Sequence, residues 1–280
     1  MLLRRMGLHH YGRVFAAIAG ITLRLHLRRR KTWVMAVLAV VPAALPAIIG
    51  YYGAGRSGPP DRLFVALTDF VYVYTLVPLL ALFYACSLLS EEIEGQTLPL
   101  FLSRPVPRSA LVLGKFAAYV AIASALAGLS LAALFYASAL FLRLPVSSAH
   151  HALLVRYTAL CVAGLLAYGA LCMMVSSLTR RPALIAAVFI FGWEKMVIAL
   201  PGYADFLTVQ KYLAALLPQV GFRRLEIAKV ELPVELMREV IPVSAGAALA
   251  VLLAVSGLLL AVACVAVSRR QFAASGSGGE

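Results

Sequence analysis

The chain is predicted to be an all-α integral membrane protein with six transmembrane helices, and three observations carry that prediction. Of its 280 residues, 62% are hydrophobic and only 13% charged, with a mean hydropathy of +0.92, a balance that leaves a water-soluble globule too little polar surface. Apolar runs able to cross roughly 30 Å of hydrocarbon, which takes about 20 helical residues, recur at 32–52, 66–90, 111–142, 152–178, 182–200 and 243–267. The basic residues between those runs cluster on alternate sides, as the orientation of a membrane protein requires.

Ahead of the first span, residues 11–30 place Val14, Ile18, Ile21 and Leu25 on one helical face and Arg13, Arg24 and Arg28 near another. That pattern suits a helix lying in the membrane interface; the alternative is a basic extension of span one. Within span one, Trp33 stands at one end and Tyr51 and Tyr52 at the other, where aromatic rings anchor at the two interfaces. Pro42 and Pro46, one turn apart, should kink it, since each removes a helical donor.

Span two leads into a compact polar segment, 91–110. Glu91, Glu92 and Glu94 close the helix, Gly95 is a stop signal, and Thr97 followed by Pro99 starts a short new helix. Arg104-Pro105 and Pro107 force extended or turn geometry on the residues before them, and Ser109 is placed to cap the next helix. Helix, stop, short helix, stop, helix is the order a rigid protrusion needs. Span three is longer than one crossing requires, so it should tilt or project. Its Ala123, Ser124, Ala127 and Gly128 let another backbone approach closely, for internal packing or as a dimer seam.

Span five carries Glu194 and Lys195. Each charge costs roughly 2.5 to 3.5 kcal/mol at a helix centre, so the pair should lie near the outer interface or face a polar cavity or partner. Being consecutive, they point about 100° apart and need not pair with each other. Two roles follow: a translocation path or gate, or snorkelling beside the break at Pro201-Gly202. The longest extramembrane segment, 201–242, balances its charges. Tyr203–Leu217, bounded by Pro201 and Pro218, is amphipathic and should lie on or re-enter the outer leaflet; Glu231–Val240 is a second helical stretch. The organisation is therefore a basic N-terminal segment (1–31), a six-span domain (32–268) and a flexible tail (269–280).

The formal charge of +13 would suggest nucleic acid in a soluble protein, but no soluble basic domain or stacking platform is present, and anionic lipid explains a basic membrane edge. Arg4, Arg5, Arg13, Arg24, Arg28, Arg29, Arg30 and Lys31 precede span one. Arg104, Arg108, Lys115, Arg180, Arg181, Arg269 and Arg270 fall on the same side, so both termini are expected in the cytoplasm. The four cysteines, Cys86, Cys161, Cys172 and Cys264, lie within apolar spans and read as small apolar residues. The adjacent pairs His9-His10 and His150-His151 diverge and make a poor metal site. A cleavable leader is not expected, since the first long apolar run begins only near residue 32. No internal repeat supports an inverted-repeat transporter.

Catalytic patterns such as HExxH and GxSxG are missing, and Gly114-Lys115 lacks both the following Ser or Thr and the earlier glycine of a phosphate loop. The chain is thus expected to bind no cofactor or metal and to catalyse nothing by itself.

The run EEIEGQTLPLFLSRPVPRSALVLGK at 91–115 resembles the signature between the second and third spans of ABC transporter permeases of the type-2 membrane family: an acidic pair, Gly-x-Thr-Leu, a Leu-rich stretch, Ser-x-Pro-x-x-Arg and a closing Leu-Gly-Lys. The segment LPGYADFLTVQKYLAALLP at 200–218 is similar to the stretch after span five in the same family. The resemblance implies an N-terminal elbow helix, a cytoplasmic coupling helix between spans two and three, and short outer helices before span six. It implies two cytosolic ABC ATPase subunits, which would use the ATP and Mg, and a second copy of this permease or a related one. Glu91, Glu92, Glu94, Gly95, Thr97, Arg104, Pro105 and Arg108 become the expected docking and coupling residues, and Glu194 and Lys195 the path or gate. An exporter-type subunit of a bacterial cytoplasmic membrane is the resulting expectation. The alternatives are a non-transporting anchor or sensor that uses the same loop, and an intramembrane enzyme acting on lipid.

Overall fold

The computed structural model describes residues 8–28, 30–52, 59–94, 108–179, 181–199, 206–218 and 243–269. Its elements in order are α1 (Leu8–Arg28), α2 (30–52), α3 (60–94), α4 (Arg108–Phe141), α5 (Ser148–Leu178), α6 (182–199), α7 (Val209–Leu216) and α8 (Ala245–Arg269). Among the described residues there is no strand.

Among the described residues, five stretches are long and apolar enough to cross a membrane: Thr32–Tyr52, Pro60–Leu88, Ser109–Phe141, Ser148–Leu178 and Ala245–Arg269. They coincide with five of the six expected spans. The remaining one, expected at 182–200, is helical from 182 through 199, and among the described residues it contributes the shorter apolar helix Pro182–Trp193.

Local chemistry accounts for the irregularities. In α2 the prolines produce a tight 3₁₀ turn, Val41–Ala44, between two α-helical pieces; Leu45 N–H bonds the Pro42 carbonyl, an acceptor that Pro46 cannot serve because it has no N–H. Both α3 and α6 contain π-helical stretches, Thr68–Leu76 and Val188–Trp193. Each closes on a bond that reaches back five residues, Val77 N–H to Tyr72 O and Glu194 N–H to Phe189 O. Such widened turns rotate the residues that follow and recur at functional sites.

The hub is α5, of whose spanning window 67% is buried, against 22% in α2 and in α8. It packs against α3, α4, α6, α7 and α8. Small residues make this possible: at Gly128 a Cβ would stand 3.6 Å from Thr158 Cγ2 of α5, and Ala123 and Ala127 are fully covered. The small-residue face of α4 thus serves internal packing. At Gly50 a Cβ would come within 2.8 Å of the Phe141 carbonyl oxygen, so α2 lies directly on the far end of α4.

Hydrogen bonds between helices fix the arrangement where apolar packing alone carries little directional information. Tyr119 of α4 donates to Leu165 O of α5 at 3.0 Å. Tyr72 of α3 lies 2.9 Å from Ser130 O and 2.7 Å from Ser130 Oγ of α4, and Ser130 Oγ donates to Ala39 O of α2. Tyr157 of α5 donates to the Asp69 carboxylate of α3 at 2.8 Å.

The face of α1 packed on the bundle takes in only part of its apolar stripe. Val14 and Ile18 are partly covered, but Ile21 and Leu25 are exposed, while Thr22 and His26 are buried. At Gly114 the first turns of α4 meet Phe15 and Ile18 of α1, and Ile21 and Leu25 stand exposed beside the arginines Arg24 and Arg28.

Candidate functional site

Two regions concentrate the candidate residues. The first lies where α3 ends and α4 begins. Glu91, Glu92 and Glu94 occupy the last turn of α3, and Arg108 opens α4; Gly95, Thr97, Arg104 and Pro105 lie outside the described residues, as does the expected short helix there. Ser109 does not cap α4, which already starts at Arg108. Its hydroxyl instead accepts from Tyr11 of α1 at 3.2 Å. Just beyond, Gly114 brings α1 against α4, and Lys115, read from sequence as one more basic residue of the inner edge, is 2% exposed with its Nζ 3.2 Å from Leu88 O.

The second region surrounds Glu194. Far from snorkelling at an interface, this side chain is fully buried. Its Oε2 accepts from Tyr168 Oη at 2.5 Å and its Oε1 from the backbone N–H of Val209 at 3.1 Å. Tyr168 is ten residues from the end of α5, or about 15 Å at 1.5 Å per residue, so the carboxylate sits deep in the bundle. The widened turn Val188–Trp193 that ends at Glu194 sets its direction toward α5.

Val209 opens α7, and Thr208 caps it by accepting from Lys211 N–H at 3.4 Å. A carboxylate at that N-terminus interacts favourably with the helix dipole. Leu213 of α7 lies over Gly164 of α5, where a Cβ would meet Leu213 Cδ1 at 3.3 Å. The described part of the amphipathic segment expected at 203–217, from residue 206 on, holds a short helix packed on α5 and α8. Lys211 Nζ rests 3.4 Å above the Phe206 ring, a cation–π contact. Glu231–Val240 lies outside the described residues.

Sequence reasoning passed over Asp69, 8% exposed in α3 and bonded to Tyr157, and Tyr168. An acid inside an apolar run was the available signal for Asp69; nothing in the sequence pairs either tyrosine with its acid. At the end of the bundle opposite the α3–α4 junction, Ser147 Oγ and the Asp61 carboxylate flank His150, 2.7 Å from Nδ1 and 2.9 Å from Nε2 respectively, tying the starts of α3 and α5. Among the described residues no cluster of three or more His, Cys, Asp or Glu could hold a metal.

A family model for ABC-2 family transporter proteins matches residues 24–193, which takes in α2 to α5, the segment between α3 and α4, and most of α6. The chain belongs to the ABC-2 transporter family. It is accordingly an ABC transporter permease, a multi-pass transmembrane protein. Membership implies association of this permease with ABC ATPase subunits. The match stops short of Glu194 and of the segment 200–218. No curated protein matches the permease.

Proposed function

We propose that the permease is an exporter-type subunit that consumes no nucleotide itself and receives force from a separate ATPase through the segment between α3 and α4. The observation that carries this reading is the family match across 24–193, in which that segment joins two long helices of one packed bundle. ATP and Mg would be used by two cytosolic ATPase subunits, with no cofactor on this chain. A second permease copy, identical or related, would complete the path. In this reading α6 is the fifth of six spans, its 182–199 helix reaching about 27 Å. Then α1 is the elbow helix on the inner leaflet, both termini are cytoplasmic, and the membrane is a bacterial cytoplasmic one.

Glu91, Glu92, Glu94, Gly95, Thr97, Arg104, Pro105 and Arg108 form the docking surface. Closure of the ATPase pair would push on it, and α3 and α4 would carry the displacement to the path. Replacing Glu92 and Arg104 by Ala is expected to reduce copurification of the ATPase subunit, or its transport-linked hydrolysis, at unchanged membrane insertion. Wild-type coupling in both variants would defeat the assignment.

Glu194 and Lys195 are assigned to the path or gate. Cysteines placed at 194 and 195 are expected to change thiol-labelling rate with nucleotide state; labelling that ignores nucleotide and cargo alike would reject the role.

A further inference from the structure

We infer that Lys115 is a positioning residue for transport: its ammonium holds the end of α3 on the start of α4, so that the two helices flanking the docking segment move as one body. The inference rests on the transporter reading above. Lys115 lies two turns into α4, and Leu88, whose carbonyl oxygen accepts from Nζ at 3.2 Å, lies less than two turns before the end of α3.

The charge is what requires an explanation. Burying an ammonium carries a large desolvation cost, and a lysine normally uses its four-carbon stem to bring the charge to water. Here the stem does not do so: only 2% of the residue is exposed. A methionine would fill similar volume without that cost, so apolar packing does not call for lysine. What lysine adds is a directional, charge-assisted bond across the helix pair.

Its neighbour supplies the second half of the joint. At Gly114 a Cβ would lie 3.1 Å from Ile18 Cγ2 and 3.2 Å from Phe15 O, so α1 rests on α4 at the same level, a turn beyond the Tyr11–Ser109 contact. Consecutive helical residues project about 100° apart, which lets Gly114 and Lys115 hold different helices, α1 and α3. The three-helix joint sits at the base of the docking segment. Force arriving there enters all three helices together rather than bending α3 alone.

The test uses the full permease with the ATPase subunit that copurifies with it, reconstituted in lipid nanodiscs, comparing wild type with Lys115→Met. Copurification and thermal midpoint are expected to stay near wild type, while permease-dependent stimulation of ATP hydrolysis falls by about fivefold or more, the lower end of ordinary coupling energies. Stimulation within about twofold of wild type, below that same range, in a folded variant overturns the inference. Should Lys115→Met fail to accumulate, hydrogen exchange on the wild-type complex decides. On vanadate trapping, amides 14–22, 84–88 and 110–118 are expected to change protection together, and an independent change at 84–88 overturns the joint. Wild type that copurifies with no ATPase defeats the transporter reading and this inference with it.

Discussion

Gly169→Val is expected to abolish accumulation of folded permease, and Gly169→Ala to lower its stability by about 1–3 kcal/mol, the usual cost of overpacking. A Cβ at 169 would be driven into the Tyr119 ring, with Cζ at 2.9 Å and the hydroxyl at 3.0 Å. Tyr119 has little room to withdraw: it is 1% exposed and its hydroxyl is committed to Leu165 O. Either α4 and α5 separate or the ring abandons its bond, leaving a buried polar group unpaired at about 1–3 kcal/mol. Since α5 is the hub, separation there also loosens α3 and α8. Gly257→Ala in α8 is the control: nothing lies within 4 Å of the added methyl, and alanine favours helix by about 1 kcal/mol. Accumulation in the membrane reads Gly169→Val, and thermal unfolding in detergent reads the two alanine variants. Adding Tyr119→Leu to Gly169→Ala should recover stability relative to Gly169→Ala alone, since contacting sites couple; a loss equal to the sum of the single effects would refute the steric account.

The spans were readable because membrane insertion writes itself into composition. Apolar length alone placed Thr32–Tyr52, Ser109–Phe141 and Ala245–Arg269 within a few residues, and the two prolines placed the break in α2. Partnership was not readable in the same way. Lys115 and the arginines of the inner edge have the same signature in sequence, yet Lys115 is enclosed and Arg181 exposed, because only three-dimensional packing decides whether a stem can reach water. Ile21 and Leu25 belonged to the more apolar stripe of α1, yet the helix buries Thr22 and His26, because in a membrane an exposed isoleucine bears no penalty. Of the expected docking residues, Glu91, Glu92 and Glu94 fall in the last turns of α3 and Arg108 opens α4, while the others lie outside the described residues. Glu194 was conspicuous as an acid in an apolar run, but the residue that receives it, Tyr168, lies 26 positions earlier on a different helix.

Glu194→Ala is expected to detach α7 from the bundle. Two opposed effects meet at this site. Removing a buried carboxylate abolishes its own desolvation cost, which is why replacing an entire buried charged pair by apolar groups is often neutral. Removing one member alone strands the others: the Tyr168 hydroxyl and the Val209 N–H would each lose the acceptor recorded at 2.5 and 3.1 Å. At about 1–3 kcal/mol per stranded group, the loss outweighs the relief. Thermal unfolding should therefore fall by several degrees, at about 2–4 °C per kcal/mol, with faster amide exchange across Val209–Leu216. The double variant Glu194→Leu/Tyr168→Phe removes carboxylate and phenol together and leaves the Val209 N–H without its carboxylate acceptor. It should regain most of the midpoint yet keep α7 fast-exchanging, since the carboxylate contact to its N-terminus is then gone. If α7 exchanges at the wild-type rate in both variants, the carboxylate is not the latch, and Leu213 against Gly164 holds the helix by packing alone. If α7 is released and ATP turnover no longer alters its exposure, the latch is the moving part of the gate, because its carboxylate is bonded to both α5 and the start of α7.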